Sequence, residues 1–180
     1  MSAAAKAEIR AAALAKRDAL SAEDRAAFSA KICQRILDLA ASLPAGPVSI
    51  FWPIRSEIDT RPLMSGLAAL GFPVALPRVE GSSLEFRLWQ SGAALSVGKF
   101  GLSEPLTSAP LTRPATMLIP LAAFDTDLHR IGYGKGFYDR AIAALNPKRK
   151  IGLAFSCQQV RHVPFESHDE RLDMIVTELG

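Results

Sequence analysis

The chain has 180 residues, 49% of them apolar and 22% charged, with a formal net charge of +3. That mix excludes a disordered or fibrous protein, and no apolar run approaches the roughly 20 residues of a membrane span, so no membrane association is expected. Only two cysteines occur, Cys33 and Cys157, far apart and without a Cys-x-x-Cys neighbour, which excludes paired-thiol metal or redox motifs and fits a reduced, cytoplasmic setting.

The first 43 residues read as two helices. Ala4 to Leu20 is rich in strong helix formers, and its Glu8 and Asp18 speak against an organelle transit peptide. Ser21 and Asp24 have the spacing of a capping pair, and Phe28, Ile32, Ile36 and Leu39 recur at helical spacing behind them, up to the stop at Pro44-Ala-Gly-Pro47. Val48 to Trp52 reads as a buried strand, and Arg55, Glu57 and Asp59 follow in a polar loop. Thr60 is placed to cap a third helix, with Pro62 in its first turn and Gly71 at its end. Pro73 to Leu76 and Leu84 to Trp89 read as strands, and residues 90 to 115 as loop, from their Gly, Ser, Thr and Pro content.

Thr116 to Ile119 is a strand stopped by Pro120, Phe137 to Leu145 a helix ended by Asn146-Pro147, and Ile151 to Phe155 and Met174 to Thr177 the last strands. Lys148-Arg149-Lys150 is a short basic run, read as a solvated loop rather than a nucleic-acid contact. Strands thus alternate with helices, which predicts an α/β fold with a mainly parallel sheet covered on both faces. No repeat or linker divides the chain. We expect one domain over residues 1–180, with residues 1–43 as a helical arm packed on it.

The segment Arg130-Ile-Gly-Tyr-Gly-Lys-Gly-Phe-Tyr-Asp-Arg140 concentrates chemistry. Gly132, Gly134 and Gly136 free the backbone for positive φ and close approach to a ligand. The following helix offers its N-terminus to an anion, Arg130 and Lys135 offer cationic donors, and Asp139 offers a carboxylate to a magnesium ion on the same phosphates. The spacing is neither a Walker A loop nor a full dinucleotide fingerprint. On loop composition alone, a plain strand-to-helix turn and a phosphate cradle remain equal readings.

The longer string Ile119-Pro-Leu-Ala-Ala-Phe-Asp125, then His129 through Arg140, closely resembles the signature of the 5-formyltetrahydrofolate cyclo-ligase family. Lys6-x-x-x-Arg10, Glu57-Ile-Asp-Thr60, Phe100-Gly-Leu-Ser-Glu-Pro105 and His168-Asp-Glu-Arg-Leu-Asp173 match further family elements in the same order. The resemblance covers nearly the whole chain. It departs at Ile131, where Leu is commoner, and at Phe137, where Tyr is commoner.

The resemblance implies a three-layer α/β/α sandwich and a ligase converting 5-formyltetrahydrofolate and ATP to 5,10-methenyltetrahydrofolate, ADP and phosphate with Mg2+. It implies that Lys6, Arg10, Arg130, Ile131, Gly132, Tyr133, Gly134, Lys135, Gly136, Phe137 and Tyr138 bind ATP, with Arg130 and Lys135 acting in catalysis. Trp52, Glu57 and Tyr133 through Phe137 would meet the folate, and Asp139 and Asp169 would hold the metal. Small-molecule partners and a monomer or weak homodimer go with this reading. The competing readings are a sugar-phosphate isomerase or CoA-transferase-like protein of similar architecture, and a non-catalytic binding module.

Overall fold

The computed structural model describes residues 3–180. In chain order the elements are α1 (Ala3–Asp18), α2 (Ala22–Asp38), β1 (Val48–Ser49), α3 (Arg61–Ala69), β2 (Val74–Glu80), β3 (Ser83–Leu88), β4 (Leu95–Val97), β5 (Ser103–Pro105), β6 (Leu111–Thr112), β7 (Thr116–Pro120), β8 (Ala123–Phe124), β9 (Arg130–Ile131), α4 (Phe137–Leu145), β10 (Arg149–Leu153) and β11 (Met174–Val176).

One sheet of seven strands runs β11-β10-β7-β1-β2-β3-β6. The pairs from β11 across to β2 are parallel, and β3 and β6 add an antiparallel edge. The expected mainly parallel α/β sheet is the one found.

Alternation along β7 sends its side chains to both faces. Leu118 joins a buried cluster with Ile32 and Ile36 of α2 and Leu63, Met64 and Leu67 of α3. Its neighbours Met117 and Ile119 join a second cluster with Ala141 and Ile142 of α4. Helices therefore cover both faces, and α2 is a wall of the main core rather than an appendage. Gly66 makes this packing possible, because a Cβ there would lie 2.8 Å from the Leu37 side chain.

The Ser21 cap is as expected: its Oγ accepts from the Asp24 amide at 3.0 Å. Four local expectations are corrected. The second helix stops at Asp38, and a 3-10 turn over Ala40–Ser42 intervenes before Pro44. Only Val48 and Ser49 of the Val48–Trp52 run pair as strand, because the chain then turns toward the site. Thr60 does not cap α3: its backbone is already helical and its hydroxyl turns inward to donate to the Phe51 carbonyl at 2.7 Å. Asp59 takes that place instead, accepting from the Arg61 amide at 3.2 Å. Residues 90 to 115 contain the β4–β5 hairpin and β6, whose two- and three-residue strands are too short to leave a periodic signal.

Ile36 is fully buried between α2 and the sheet. Ile36→Ala should cost about 2–5 kcal/mol by urea unfolding with an unchanged slope. A loss well below 1 kcal/mol would mean that α2 is a peripheral arm.

Candidate active site

Three chain segments leaving the carboxyl ends of parallel strands meet at one end of the sheet, where open α/β sheets place their ligands. After β1 the chain continues through Phe51 and Trp52 to a turn at Glu57. After β7 it forms the β8–β9 hairpin and then the glycine loop, and after β10 it enters a 3-10 turn over Ser156–Gln158. Asp125, almost fully buried, holds the hairpin in shape. Its Oδ1 accepts from the Asp127 and His129 amides, each at 3.0 Å, and its Oδ2 from the Val163 amide at 2.9 Å. The sequence spacing of that Asp reflects a structural staple.

Gly134 (φ 90) and Gly136 (φ 64) occupy the left-handed region, where a side chain is strained, whereas Gly132 does not. Gly136 ends the loop at the N-terminus of α4. The ring of Phe137 lies under the Arg140 guanidinium, which donates to the Lys135 and Ser82 carbonyls at 2.7 Å each and so ties the loop to the β2–β3 turn.

Arg130 is not the free cation that the sequence suggests. Its guanidinium is buried, donates to Asp139 Oδ1 at 2.8 Å, and also bonds the Glu170 carbonyl. The pair joins the start of the glycine loop to the first turn of α4. Lys135 remains exposed, with its ammonium 5.4 Å from the centre of the Phe100 ring.

The loop has two sides. On one, Lys6 bonds the Asp169 carboxylate and Arg10 Nε donates to the Gly132 carbonyl at 2.7 Å. The Arg10 guanidinium also lies 3.4 Å from where a Gly134 Cβ would sit. On the other side is a cleft of about 410 Å³ lined by Trp52, Glu57, Phe100, Tyr133, Phe137 and Tyr138, into which Arg130, Lys135 and Asp139 also reach. Trp52 packs edge-on against Trp89, with ring centres 5.9 Å apart. Ile131 is buried in the hairpin core, on the inner side of the chain.

The metal expectation can be tested on the donors. Asp139 Oδ1 also accepts from the Glu170 amide at 3.1 Å, and Asp169 Oδ2 takes Lys6 and, at 2.7 Å, the Glu166 amide. One oxygen of each carboxylate has no hydrogen-bond donor among the described residues. Burial opposes ionisation of Asp169, but the Lys6 and Glu166 hydrogen bonds outweigh it and hold the carboxyl below the usual range. Each of these oxygens is a hard anionic donor of the kind magnesium takes.

Glu57 Oε2 accepts from the Ile54 amide at 3.0 Å, and Oε1 accepts from the Tyr133 hydroxyl. Burial nevertheless pushes its carboxyl up, against the pull of Tyr133 and Arg17. Burial, with the Glu57 carboxylate next, likewise pushes the Tyr133 phenol up.

Arg17 escaped the sequence reading. It is 3% exposed, and donates from Nε to Ser56 Oγ at 2.9 Å and from Nη1 to the Tyr133 hydroxyl at 2.7 Å. The signal was present: Lys6, Arg10, Ala13 and Arg17 are spaced four, three and four apart, one face of a helix.

Fold and cleft define an α/β enzyme whose site lies at the carboxyl ends of its parallel strands. The 5-formyltetrahydrofolate cyclo-ligase family model matches residues 2–178. The chain is 29% identical over 171 residues to 5-formyltetrahydrofolate cyclo-ligase of Escherichia coli K12, covering 90% of this chain and 94% of that one. It is 30% identical over 155 residues to the Haemophilus influenzae protein of the same name, covering 81% and 83%. The solved structure of Aquifex aeolicus 5,10-methenyltetrahydrofolate synthetase superposes with TM-score 0.85 and 32% identity, covering 97% of this chain and 90% of that one. The Mycoplasma pneumoniae 5,10-methenyltetrahydrofolate synthetase gives 0.78 and 25%, covering 96% and 98%. The chain belongs to the 5-formyltetrahydrofolate cyclo-ligase family.

Two predictions follow from the geometry. Asp139→Ala leaves the Arg130 guanidinium buried without its carboxylate, so it should cost about 3–5 kcal/mol of stability even in metal-free buffer. Unchanged chemical unfolding there would show that the pair does not hold the loop. The raised Glu57 carboxyl works against folding once ionised. Its cost is absent below the ordinary glutamate value near 4.3, grows as pH rises from there to the folded value, and is constant above. Glu57→Gln should therefore be at least as stable as wild type at pH 7 and equal to it near pH 3.5; a variant less stable only at pH 7 would reverse that sign.

Proposed function

We propose that the protein catalyses ATP- and magnesium-dependent cyclisation of 5-formyltetrahydrofolate to 5,10-methenyltetrahydrofolate. The observation that carries this reading is the two-sided glycine loop, with Lys6, Arg10 and Asp169 on one side and the Trp52–Glu57 cleft on the other.

A formamide oxygen is a poor leaving group, so ring closure needs activation. The formyl oxygen attacks the γ-phosphorus of ATP, the bond to ADP breaks, and the formyl carbon becomes an imidate phosphate. The neighbouring folate nitrogen then attacks that carbon and loses its proton. The carbon–oxygen bond breaks and phosphate leaves with the former formyl oxygen.

Such a transfer depends on positioning and charge neutralisation rather than a protein nucleophile. The amides of residues 131 to 138 and the α4 N-terminus are suited to cradle the phosphates, with Lys6, Arg10 and Lys135 supplying positive charge. Arg130 holds Asp139 in place at the base of this cradle. Asp139 and Asp169 would hold magnesium, which neutralises phosphate charge. On the cleft side, Glu57 offers a carboxylate to the paired N–H donors of the pterin. Trp52, Tyr133 and Phe137 offer ring faces to it. Phe137 has no hydroxyl, so it contributes packing alone.

Purified protein given 5-formyltetrahydrofolate and Mg-ATP should build the near-ultraviolet absorbance of the methenyl product, and omitting ATP should abolish it. No growth with ATP would exclude the activity. Glu57→Gln should raise the folate KM by about tenfold or more, since a charged hydrogen-bond partner is lost, and leave the ATP KM nearly unchanged. Equal changes in both would remove Glu57 from the folate side.

A further inference from the structure

The Glu57 carboxylate is held by a chain of side chains that begins on α1. Arg17 sits two turns beyond Arg10 on the same face of that helix, and its guanidinium is almost completely buried beside the cleft. It donates to the Tyr133 hydroxyl at 2.7 Å, and that hydroxyl in turn donates a hydrogen bond to Glu57 Oε1. Its Nε donates to Ser56 Oγ at 2.9 Å, and the Ser56 hydroxyl in turn donates to Asp18 next to Arg17. The guanidinium carbon also lies 5.9 Å from the centre of the Tyr133 ring. One rigid fork therefore grips both segments that frame the cleft: the Glu57 turn through Ser56, and the glycine loop through Tyr133.

The geometry points to Arg17 as the positioning residue of the folate side, acting through Tyr133 to hold Glu57 in place to receive the substrate's N–H donors. The inference rests on the folate reading above. Direction of bonding gives it physical content. A tyrosine hydroxyl has a single proton. With Arg17 donating to its oxygen, that proton is left for Glu57, so the oxygen's acceptor capacity is filled by a partner that cannot exchange roles. Arginine suits this place because its planar fork can engage two acceptors at once, whereas lysine presents a point charge on a flexible stem.

The same contacts explain how a carboxylate is kept in a partly buried wall. The titratable groups facing Glu57 are Arg17 from α1, Tyr133 from the glycine loop and Tyr138 from α4; the two phenols are neutral, and of the three only Arg17 carries a charge. Removing it takes away the one positive charge among them and leaves only the Tyr133 and Ile54 hydrogen bonds to oppose the desolvation.

Steady-state kinetics on wild type, Arg17→Met, Arg17→Lys, Tyr133→Phe and the Arg17→Met/Tyr133→Phe double variant test this, with varied folate and varied ATP. Arg17→Met should raise the folate KM about ten- to hundredfold and leave the ATP KM within about twofold. Arg17→Lys should fall between it and wild type. The acid limb of kcat/KM for folate should move to higher pH in Arg17→Met. The double variant should be no worse than the poorer single variant, since both cut the same chain. Equal effects on ATP and folate, an unmoved acid limb, or multiplying effects in the double variant would overturn the inference. Should Arg17→Met unfold, the Tyr133→Phe and Arg17→Lys arms decide by the same KM split. Wild type without turnover would instead sink the cyclo-ligase reading itself, a separate outcome from an active wild type whose Arg17 variants misbehave.

Discussion

The partly buried ion pair between Arg130 and Asp139 is the contact on which the site is built. It joins the residue that enters the glycine loop to the first turn of the helix that leaves it. Between those anchors lie two glycines in the left-handed region, which glycine adopts freely, so fixed ends limit the other conformations these flexible positions could take. A half-paired buried charge is costly, so the two residues constrain each other as strongly as they constrain the loop. The pair also changes the meaning of both side chains. Arg130 is spent on the loop's shape, as Lys6 is on Asp169 and Arg10 on the Gly132 carbonyl, whereas Lys135 stays exposed.

Around that fixed loop, α1 acts as a cationic spine. One face of it reaches Asp169 with Lys6, the loop backbone with Arg10, and the Tyr133–Glu57 pair with Arg17. Successive turns of a single helix therefore address both sides of the loop. Helical rise, about 5.4 Å per turn, sets the spacing between these contacts. Helix α1 is thus part of the site, while α2 beside it belongs to the core, with Ile32 and Ile36 under the sheet.

Much of the site was legible in the order of residues. The glycine loop and Asp139 stand out because ligand chemistry demands particular residue types at short spacing, whereas Glu57, Lys6 and Arg10 entered only through the family resemblance; the structure brings all of them to the loop. Arg17 was missed because a lone arginine on a helix is usually solvated, and only its register with Lys6 and Arg10 marks it. Thr60 was misread because its β-hydroxyl could cap a helix or turn inward, and the buried Phe51 carbonyl decides between them. The β4–β5 hairpin escaped because three-residue strands hold too few alternations to stand out.

The sequence by itself determined the alternation of strands and helices, the amphipathic stripe of α2 and the position of the glycine loop, because these depend on periodicity and on backbone freedom at neighbouring residues. Only the tertiary structure decided which charges stay exposed and which face each other. Arg130 and Lys135 are both cations within one loop, yet one is buried against Asp139 and the other exposed. Burial and partner choice are properties of three-dimensional neighbours, and Asp169, Glu57 and Arg17 become neighbours of that loop only when the sheet brings its strand ends together.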